Sequence, residues 1–559
     1  MPLLNSRQER EILKQLARWR FPLNGKRGIS VWLPWRSRLK KLSMDASVEE
    51  NAPRQRDAEV KMAKTEESEK PSNSIGLLPV MIFLAATVTT AVVVELLPHA
   101  SKVFPWNSAD SLEDQRQPPP TYAIFGRSPT EEHLVHVVNV LHQFGYQRVG
   151  VNESWNLLWA HDYPFLSFAN LKNLGQHQVV NHLPGCGYLT NKVDLCTTPL
   201  PFLPRAFRLP AERQEFLDYA RTNPQALFVQ KHNEHRHIKV RAPADIAFGS
   251  NDSFVQEFVQ RPFLVDGHKF DIGVYVVITS INPLRVYIYT GDVLFRYCPV
   301  KYHPFDAENV DKYIVGDDYL PTWEVPSLRK YYNRFGGSMR TVFEAYVRDQ
   351  GMDPAKIWPQ VEHIIRTTIA AKEKDIVNIL SSYKTHNFFD LMRFDLFIDE
   401  DLKVFLMEAN MSPNLSSAHF KPNSLLYEQV LYSVFNLVGI RPLTATSGSL
   451  LAESSEMITA DKNLATDLNK CAAHDCDKSC NKEECDLCLQ CLSGSQYRML
   501  QQAHQEHLHR VDMKRIFPQQ IRDLKSFNLN EEITNMSKKN AWMTRWFYNK
   551  CQFDAAWCN

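Results

Sequence analysis

Residues 394–410 read Phe394-Asp-Leu-Phe-Ile-Asp-Glu-Asp-Leu-Lys-Val-Phe-Leu-Met-Glu-Ala-Asn410. Two apolar runs flank an acidic turn, which is the pattern of a β-hairpin. With the turn centred near Asp401, Asp395 lies almost opposite Glu408. Asn410 is two residues further on and shares the face of Glu408. Three oxygen-donor side chains then converge on one patch. Carboxylates with an amide oxygen suit Mg²⁺, a hard cation usually shared with substrate phosphates. The alternative is a solvated hairpin face, since charged residues often mark exposed strands. Here the acids sit inside strongly apolar runs, which favours a metal site built from Asp395, Glu408 and Asn410.

Upstream, Phe254-Val-Gln-Glu-Phe-Val259 precedes Arg261-Pro-Phe-Leu-Val-Asp-Gly-His-Lys-Phe-Asp-Ile-Gly-Val-Tyr-Val-Val-Ile-Thr279. The β-branched run from Ile272 to Thr279 predicts a buried strand. Lys269 and Asp271 are two apart at its entrance and point to one face. A further strand, Arg285-Val-Tyr-Ile-Tyr289, follows a turn at Asn282-Pro283, and Arg296 comes soon after. Basic groups at strand ends beside a carboxylate metal site are what polyphosphate binding requires. Taken singly, Lys269 or Arg296 reads better as a surface charge. Leu227-Phe-Val-Gln-Lys231 is a short apolar strand ending in a lysine that could reach a phosphate. The amphipathic spacing of Ile364, Ile365, Ile369, Ile376, Ile379 and Leu380 predicts a core-packed helix over Gln360–Lys384.

From Tyr122 to about Leu437 strand-like and helix-like patterns alternate, which implies a mixed α/β (α+β) domain at 121–440. The chain is 559 residues long, enough for two or three domains. Its net charge of +1 gives no electrostatic case for nucleic-acid binding. Residues 1–74 are basic and largely disordered in character. Residues 75–94 carry no charge, and at about 1.5 Å of rise each such a run crosses roughly 30 Å of hydrocarbon, so they predict a transmembrane helix. Sixteen basic and ten acidic residues precede this segment, and the 95–120 linker is acidic. That asymmetry predicts a single-pass, type II protein with a cytosolic N-terminus and a lumenal folded domain. Residues 441–470 read as a flexible linker and 471–559 as a separate Cys-rich region. Eight of the eleven cysteines fall in that region. Disulfides are favoured there over a zinc site built from Cys485, Cys488 and Cys491 with His504 or His507. Cys186 and Cys196 could also pair, which would leave Cys298 alone.

Four segments in order resemble the tubulin–tyrosine-ligase-like family of ATP-grasp ligases. They are Glu153-Ser-Trp-Asn-Leu-Leu-Trp159; Val180-Asn-His-Leu-Pro-Gly185 with Leu189-Thr-Asn-Lys-Val-Asp-Leu195; Lys269-Phe-Asp271; and Phe394-Asp395 with Met407-Glu-Ala-Asn-Met-Ser-Pro-Asn-Leu-Ser416. The resemblance implies ATP held between two lobes. Lys192, Lys231 and Lys269 match phosphate-binding lysines, and Gln256, Glu257, Phe258 and Val259 match the hinge beside adenine. Asp271 matches a residue near the ribose and substrate, Arg296 a cation facing phosphates or the amino acid, and Asp395, Glu408 and Asn410 the Mg²⁺ ligands. Asp271, Arg296 and Glu408 are the implied catalytic residues. The implied reaction is ATP-dependent ligation: a protein carboxylate becomes an acyl phosphate, and the amine of a free amino acid, glutamate by default, displaces phosphate. Tubulin is the acceptor by resemblance, although a lumenal domain would not meet it. The alternative is a nucleotide-binding, membrane-anchored protein with impaired catalysis.

Three departures from the family pattern bear on that alternative. Lys231-His-Asn-Glu-His-Arg-His-Ile-Lys-Val240 contains no glycine where a phosphate-covering loop is expected. Gly273 stands where an arginine follows Lys-Phe-Asp, which predicts the loss of a cationic contact to phosphate or substrate. Asp317-Asp-Tyr-Leu-Pro-Thr-Trp323 occupies the place of a His-Leu-Thr-Asn segment.

Overall fold

The β-branched run beginning at Ile272 lies inside the longest strand, Phe270–Ile281, buried along nearly its whole length. A strand covered on both faces is expected to be continuously apolar rather than alternating, and this one is. The computed structural model describes residues 118–126, 133–232, 238–249, 253–385, 387–441 and 459–559.

The first sheet contains β1 (Thr121–Phe125), β2 (Gln147–Arg148), β3 (Leu157–Ala160) and β4 (Val179–Val180), parallel and in the order β2-β1-β3-β4. A small antiparallel sheet follows, with β5 (Ala206–Leu209), β6 (Phe228–His232), β7 (Lys239–Arg241) and β8 (Ser253–Glu257) in the order β5-β8-β6-β7. The central sheet is antiparallel and is organised around β9 (Phe270–Ile281). One edge of β9 pairs with β10 (Leu284–Tyr289) and, at its start, with β11 (Leu294–Tyr297). β11 pairs onward with β12 (Leu320–Pro321). The other edge pairs with β13 (Asp390–Ile398), which forms a hairpin with β14 (Val404–Asn410).

Helix α1 (Ile357–Leu380) closes the core against this sheet, and Ile364, Ile365, Ile369 and Ile376 join the same apolar cluster as Val276 and Ile278. Each such side chain contributes about 1.5–3 kcal/mol by leaving water. Ile379 differs from the expected core position: it is 40% exposed. It lies at the flank of the apolar stripe, where its Cβ would sit 3.2 Å from a Cβ placed on Gly185. Gly185 has φ +89°, a conformation that favours glycine, so this close approach of helix and loop is built on a residue without a side chain.

The C-terminal region is not the separate body that its composition predicts. Strand β15 (Met513–Phe517) pairs antiparallel with β10 and extends the central sheet. Glu506, on helix α2 (Gly494–Leu508), accepts from Arg285 Nε at 2.8 Å and Nη2 at 3.0 Å, and from Thr279 and Tyr287 at 3.0 Å. Asn540 accepts from the Leu284 amide at 2.7 Å. An antiparallel edge strand needs only complementary pairing, so distance along the chain does not prevent it.

The eight tail cysteines form four disulfides: Cys471–Cys488, Cys476–Cys485, Cys480–Cys491 and Cys551–Cys558. The zinc alternative is excluded for Cys485, Cys488 and Cys491, because each thiol is consumed. His504 and His507 instead pack on Trp557. Cys186 and Cys196 do not pair; both are free and buried, as is Cys298. Cys186 meets Met411 Sδ at 3.6 Å, whereas Cys196 points to the Met407 carbonyl at 3.7 Å.

The predicted single-pass topology is corrected. Among the described residues no helix is long and apolar enough to cross a membrane. The lumenal, membrane-anchored placement is withdrawn with it. The expectations for 1–74, 75–94 and 95–117 fall outside the described residues, as does 442–458 of the expected linker.

Candidate functional site

Strand parity builds the site. Residues directly opposite on paired strands share a face, as do residues two apart on one strand. Arg296 of β11 faces Asp271 of β9, and Gly273 of β9 faces Asp395 of β13. Asp395 in turn faces Glu408 of β14, and Arg393 faces Asn410. Four strands therefore present one continuous row of charged side chains to one side of the sheet.

The last of these pairings depends on an irregularity. Asp395 pairs with Glu408, but Leu396 pairs with Leu406, so Met407 has no partner across the hairpin. This bulge places Glu408 and Asn410 on the face of Asp395.

The row is joined by hydrogen bonds. Arg296 donates to both oxygens of Asp271 at 2.9 Å and to Asp395 Oδ2 at 3.1 Å. Arg393 grips Asp395 with Nε at 2.6 Å and Nη2 at 2.8 Å. Asn410 Nδ2 donates to Asp395 Oδ2 at 3.1 Å and to Glu408 Oε1 at 3.2 Å. The amide's donor end thus faces the two carboxylates; a half-turn about its terminal torsion presents the oxygen instead. Glu408 Oε2 meets Lys192 Nζ at 2.8 Å. Lys192 opens a short helix whose preceding residue, Asn191, caps it by accepting from the Asp194 amide.

Above this row lies a cavity of about 220 Å³, bounded on its other side by the small sheet. Lys192, Lys231, Gln256, Glu257, Phe258, Val259, Lys269, Asp271, Arg296, Asp395 and Glu408 all line it. Asn410 reaches it only through its two carboxylate partners. Lys231, next to last in β6, donates to Gln256 at 3.1 Å. Lys269 donates to the Tyr313 carbonyl at 3.1 Å, with its ammonium 5.3 Å from the Phe397 ring centre.

The electrostatics fit an anionic ligand that arrives with a cation. Burial opposes ionisation of Glu408, but the Lys192 ammonium, hydrogen bonds from Lys192 and Asn410, and Arg393 outweigh it and hold the carboxyl at about 2. It is therefore an anionic oxygen donor at neutral pH. Burial pushes the Asp271 carboxyl up, against the neighbouring Arg296. Burial also pushes the Lys231 ammonium down, which makes an added negative charge favourable there. Hard oxygen donors beside converging lysines suit Mg²⁺ and a polyphosphate.

The three departures from the family pattern resolve differently. β6 and β7 form a hairpin, but residues 233–237 of the glycine-free loop lie outside the described residues. Gly273 brings no cation to the cavity wall, and the space beside it is taken by an arginine that does not line the cavity. Arg393, from the adjacent strand, occupies that space: a Cβ on Gly273 would lie 2.9 Å from Arg393 Cδ. The Asp317–Trp323 segment supplies β12, paired beside Arg296, and Tyr319 there accepts from Asn423 at 2.8 Å. Arg393 and the Tyr313 carbonyl are site components that sequence reasoning missed. A lone arginine inside the apolar run 388–398 was the available signal for Arg393.

The fold and this site define a class, a mixed α/β ligase domain of ATP-grasp type. The tubulin-tyrosine ligase family matches residues 169–448. The probable tubulin polyglutamylase ttll-15 of Caenorhabditis elegans is 42% identical, over 83% of this chain and 91% of its own length. Tubulin polyglutamylase TTLL6 of Mus musculus is 28% identical over 53% of this chain, which spans 38% of that protein. Human tubulin monoglutamylase TTLL4 is 23% identical over 66% of this chain, which spans 33% of it. The chain belongs to the tubulin-tyrosine ligase family.

Proposed function

We propose that this chain is an ATP- and Mg²⁺-dependent ligase that joins glutamate to a side-chain carboxylate of a protein, with tubulin as the acceptor. The choice of amino acid and acceptor follows the similarity to tubulin polyglutamylases. The observation that carries the reading is the convergence of Lys192, Lys231 and Lys269 with Asp395 and Glu408 on one cavity.

In this reading Asp395, Glu408 and Asn410 hold the metal, and the three lysines hold the phosphates. Gln256, Glu257, Phe258 and Val259 frame the base, where β8 runs out of the small sheet. Bound ATP supplies the phosphate that turns the acceptor carboxylate into a good acyl donor. The protein's part is to hold charge in place before the reaction, so that no reorganisation is needed as charge develops. Arg296, fixed by Asp271 on one side and Asp395 on the other, presents a cation at the cavity wall where acceptor or amino acid carboxylates would lie. Residues 121–440 with the C-terminal region form the working unit, since β15 and Glu506 complete the sheet that carries the site.

The test is ATP-dependent Mg²⁺ titration of the purified chain followed by calorimetry, comparing wild type with Glu408→Gln. Loss of saturable Mg·ATP binding in the folded variant is expected. Unchanged binding would remove Glu408 from the site.

A further inference from the structure

We propose that Arg393 is a positioning residue for the metal site, and that Gly273 lacks a side chain in order to admit it. The inference rests on Asp395 being a metal ligand, as read above.

Arg393 does not line the cavity and is 7% exposed, so it acts through the residue it holds. That residue is Asp395, two positions away on the same face of β13. The guanidinium engages both carboxylate oxygens, with Nε on Oδ1 and Nη2 on Oδ2. A planar fork on a planar carboxylate fixes the orientation of the carboxylate as well as its position. The remaining partners are unequal. Oδ2 also accepts from Arg296 and Asn410, which makes three donors, whereas among the described residues Oδ1 accepts from Arg393 alone. A carboxylate has about four lone-pair sites, two on each oxygen. Oδ1 is thus the oxygen with capacity left for a cation, and Arg393 determines where it faces.

The space for this arrangement comes from β9. Gly273 is directly opposite Asp395, so a side chain there would project onto the same face. Its Cβ would lie 2.9 Å from Arg393 Cδ, 3.3 Å from Arg393 Nε and 3.4 Å from Leu294 Cβ. Even alanine collides with the arginine stem. Only one of positions 273 and 393 can carry a long side chain. An arginine at 273, facing Asp395 directly, has the same carboxylate within reach once position 393 is cleared.

The experiment is a reciprocal exchange in the full chain: Arg393→Lys, Arg393→Gly, Gly273→Arg, and Gly273→Arg/Arg393→Gly. Calorimetry measures ATP binding as a function of Mg²⁺, and thermal melting reports folding separately. Arg393→Lys keeps the charge but loses the fork. It is expected to raise the Mg²⁺ concentration for half-maximal ATP binding about tenfold, the lower end of the effect of removing a partner of a metal ligand. Arg393→Gly and Gly273→Arg each raise it further, and the exchange variant recovers to within about threefold of wild type. A purely structural role would lower the melting temperature of Arg393→Lys without moving this midpoint, and that result would overturn the proposal. So would an exchange variant no better than Arg393→Gly. Absence of Mg²⁺-dependent ATP binding in the wild type would overturn the reading of the site and this inference together. An unmoved midpoint in Arg393→Lys with a binding-competent wild type overturns this inference alone.

Discussion

Replacing Glu506 by glutamine tests whether the C-terminal region is part of the ligase fold. The Arg285 side chain is fully buried and Glu506 is 2% exposed. The carboxylate accepts four hydrogen bonds, from Arg285 Nε and Nη2, Thr279 and Tyr287. Glutamine keeps the shape but not the charge, and its NH₂ end faces donors. A buried arginine is left without a counter-ion, which costs about 3–5 kcal/mol. For a unit of roughly 400 residues, an unfolding entropy of about 2 cal/mol/K per residue converts this to a fall of about 4–6 °C in Tm. Scanning calorimetry measures the shift. The double substitution Arg285→Met/Glu506→Leu removes both charges and should lose less than either single change, because a buried ion pair recovers little more than its desolvation. A Glu506→Gln shift below about 1 °C, or a double variant that loses the sum of the singles, would refute the reasoning.

Other consequences can be measured as directly. Lys231→Met should weaken ATP binding by more than about tenfold while leaving Tm unchanged or raised, because burial already disfavours the ammonium; calorimetry and melting together check this. The Glu408 carboxyl is held at about 2 against an ordinary value of 4.5, so its contribution is complete above about 4.5 and is lost as pH falls toward 2. The stability difference between wild type and Glu408→Gln should therefore shrink across that window, as read by urea unfolding at each pH. Cys471 and Cys488 are 17 residues apart, and opening that loop by double serine substitution should cost about 3 kcal/mol. Urea unfolding of the variant reports the loss.

The hairpin was legible because apolar runs and an acidic turn leave few other ways to pair 394–410. Counting outward from Asp401 put Asp395 near Glu408, and the structure pairs them. The bulge at Met407 that brings them onto one face has no local sequence signature. Lys192 was visible only through resemblance, and Lys231 and Lys269 were weak signals by themselves, since an isolated lysine at a strand or helix end is ordinary. Arg393 was not found because its meaning lies in Gly273, on another strand and more than one hundred residues away. The role of the tail was hidden for the same reason. β15 is an unremarkable five-residue segment until it meets β10. The apolar segment 75–94, whose composition suggests a membrane span, lies outside the described residues.

The most direct test of function is mass spectrometry of tubulin incubated with the purified chain, ATP, Mg²⁺ and glutamate, beside the same reaction with Glu408→Gln. Glutamate added to tubulin side-chain carboxylates by wild type, dependent on ATP and absent with the variant, is the predicted result. A folded, Mg·ATP-binding wild type that adds no glutamate, or a Glu408→Gln variant that adds it at the wild-type rate, would contradict it.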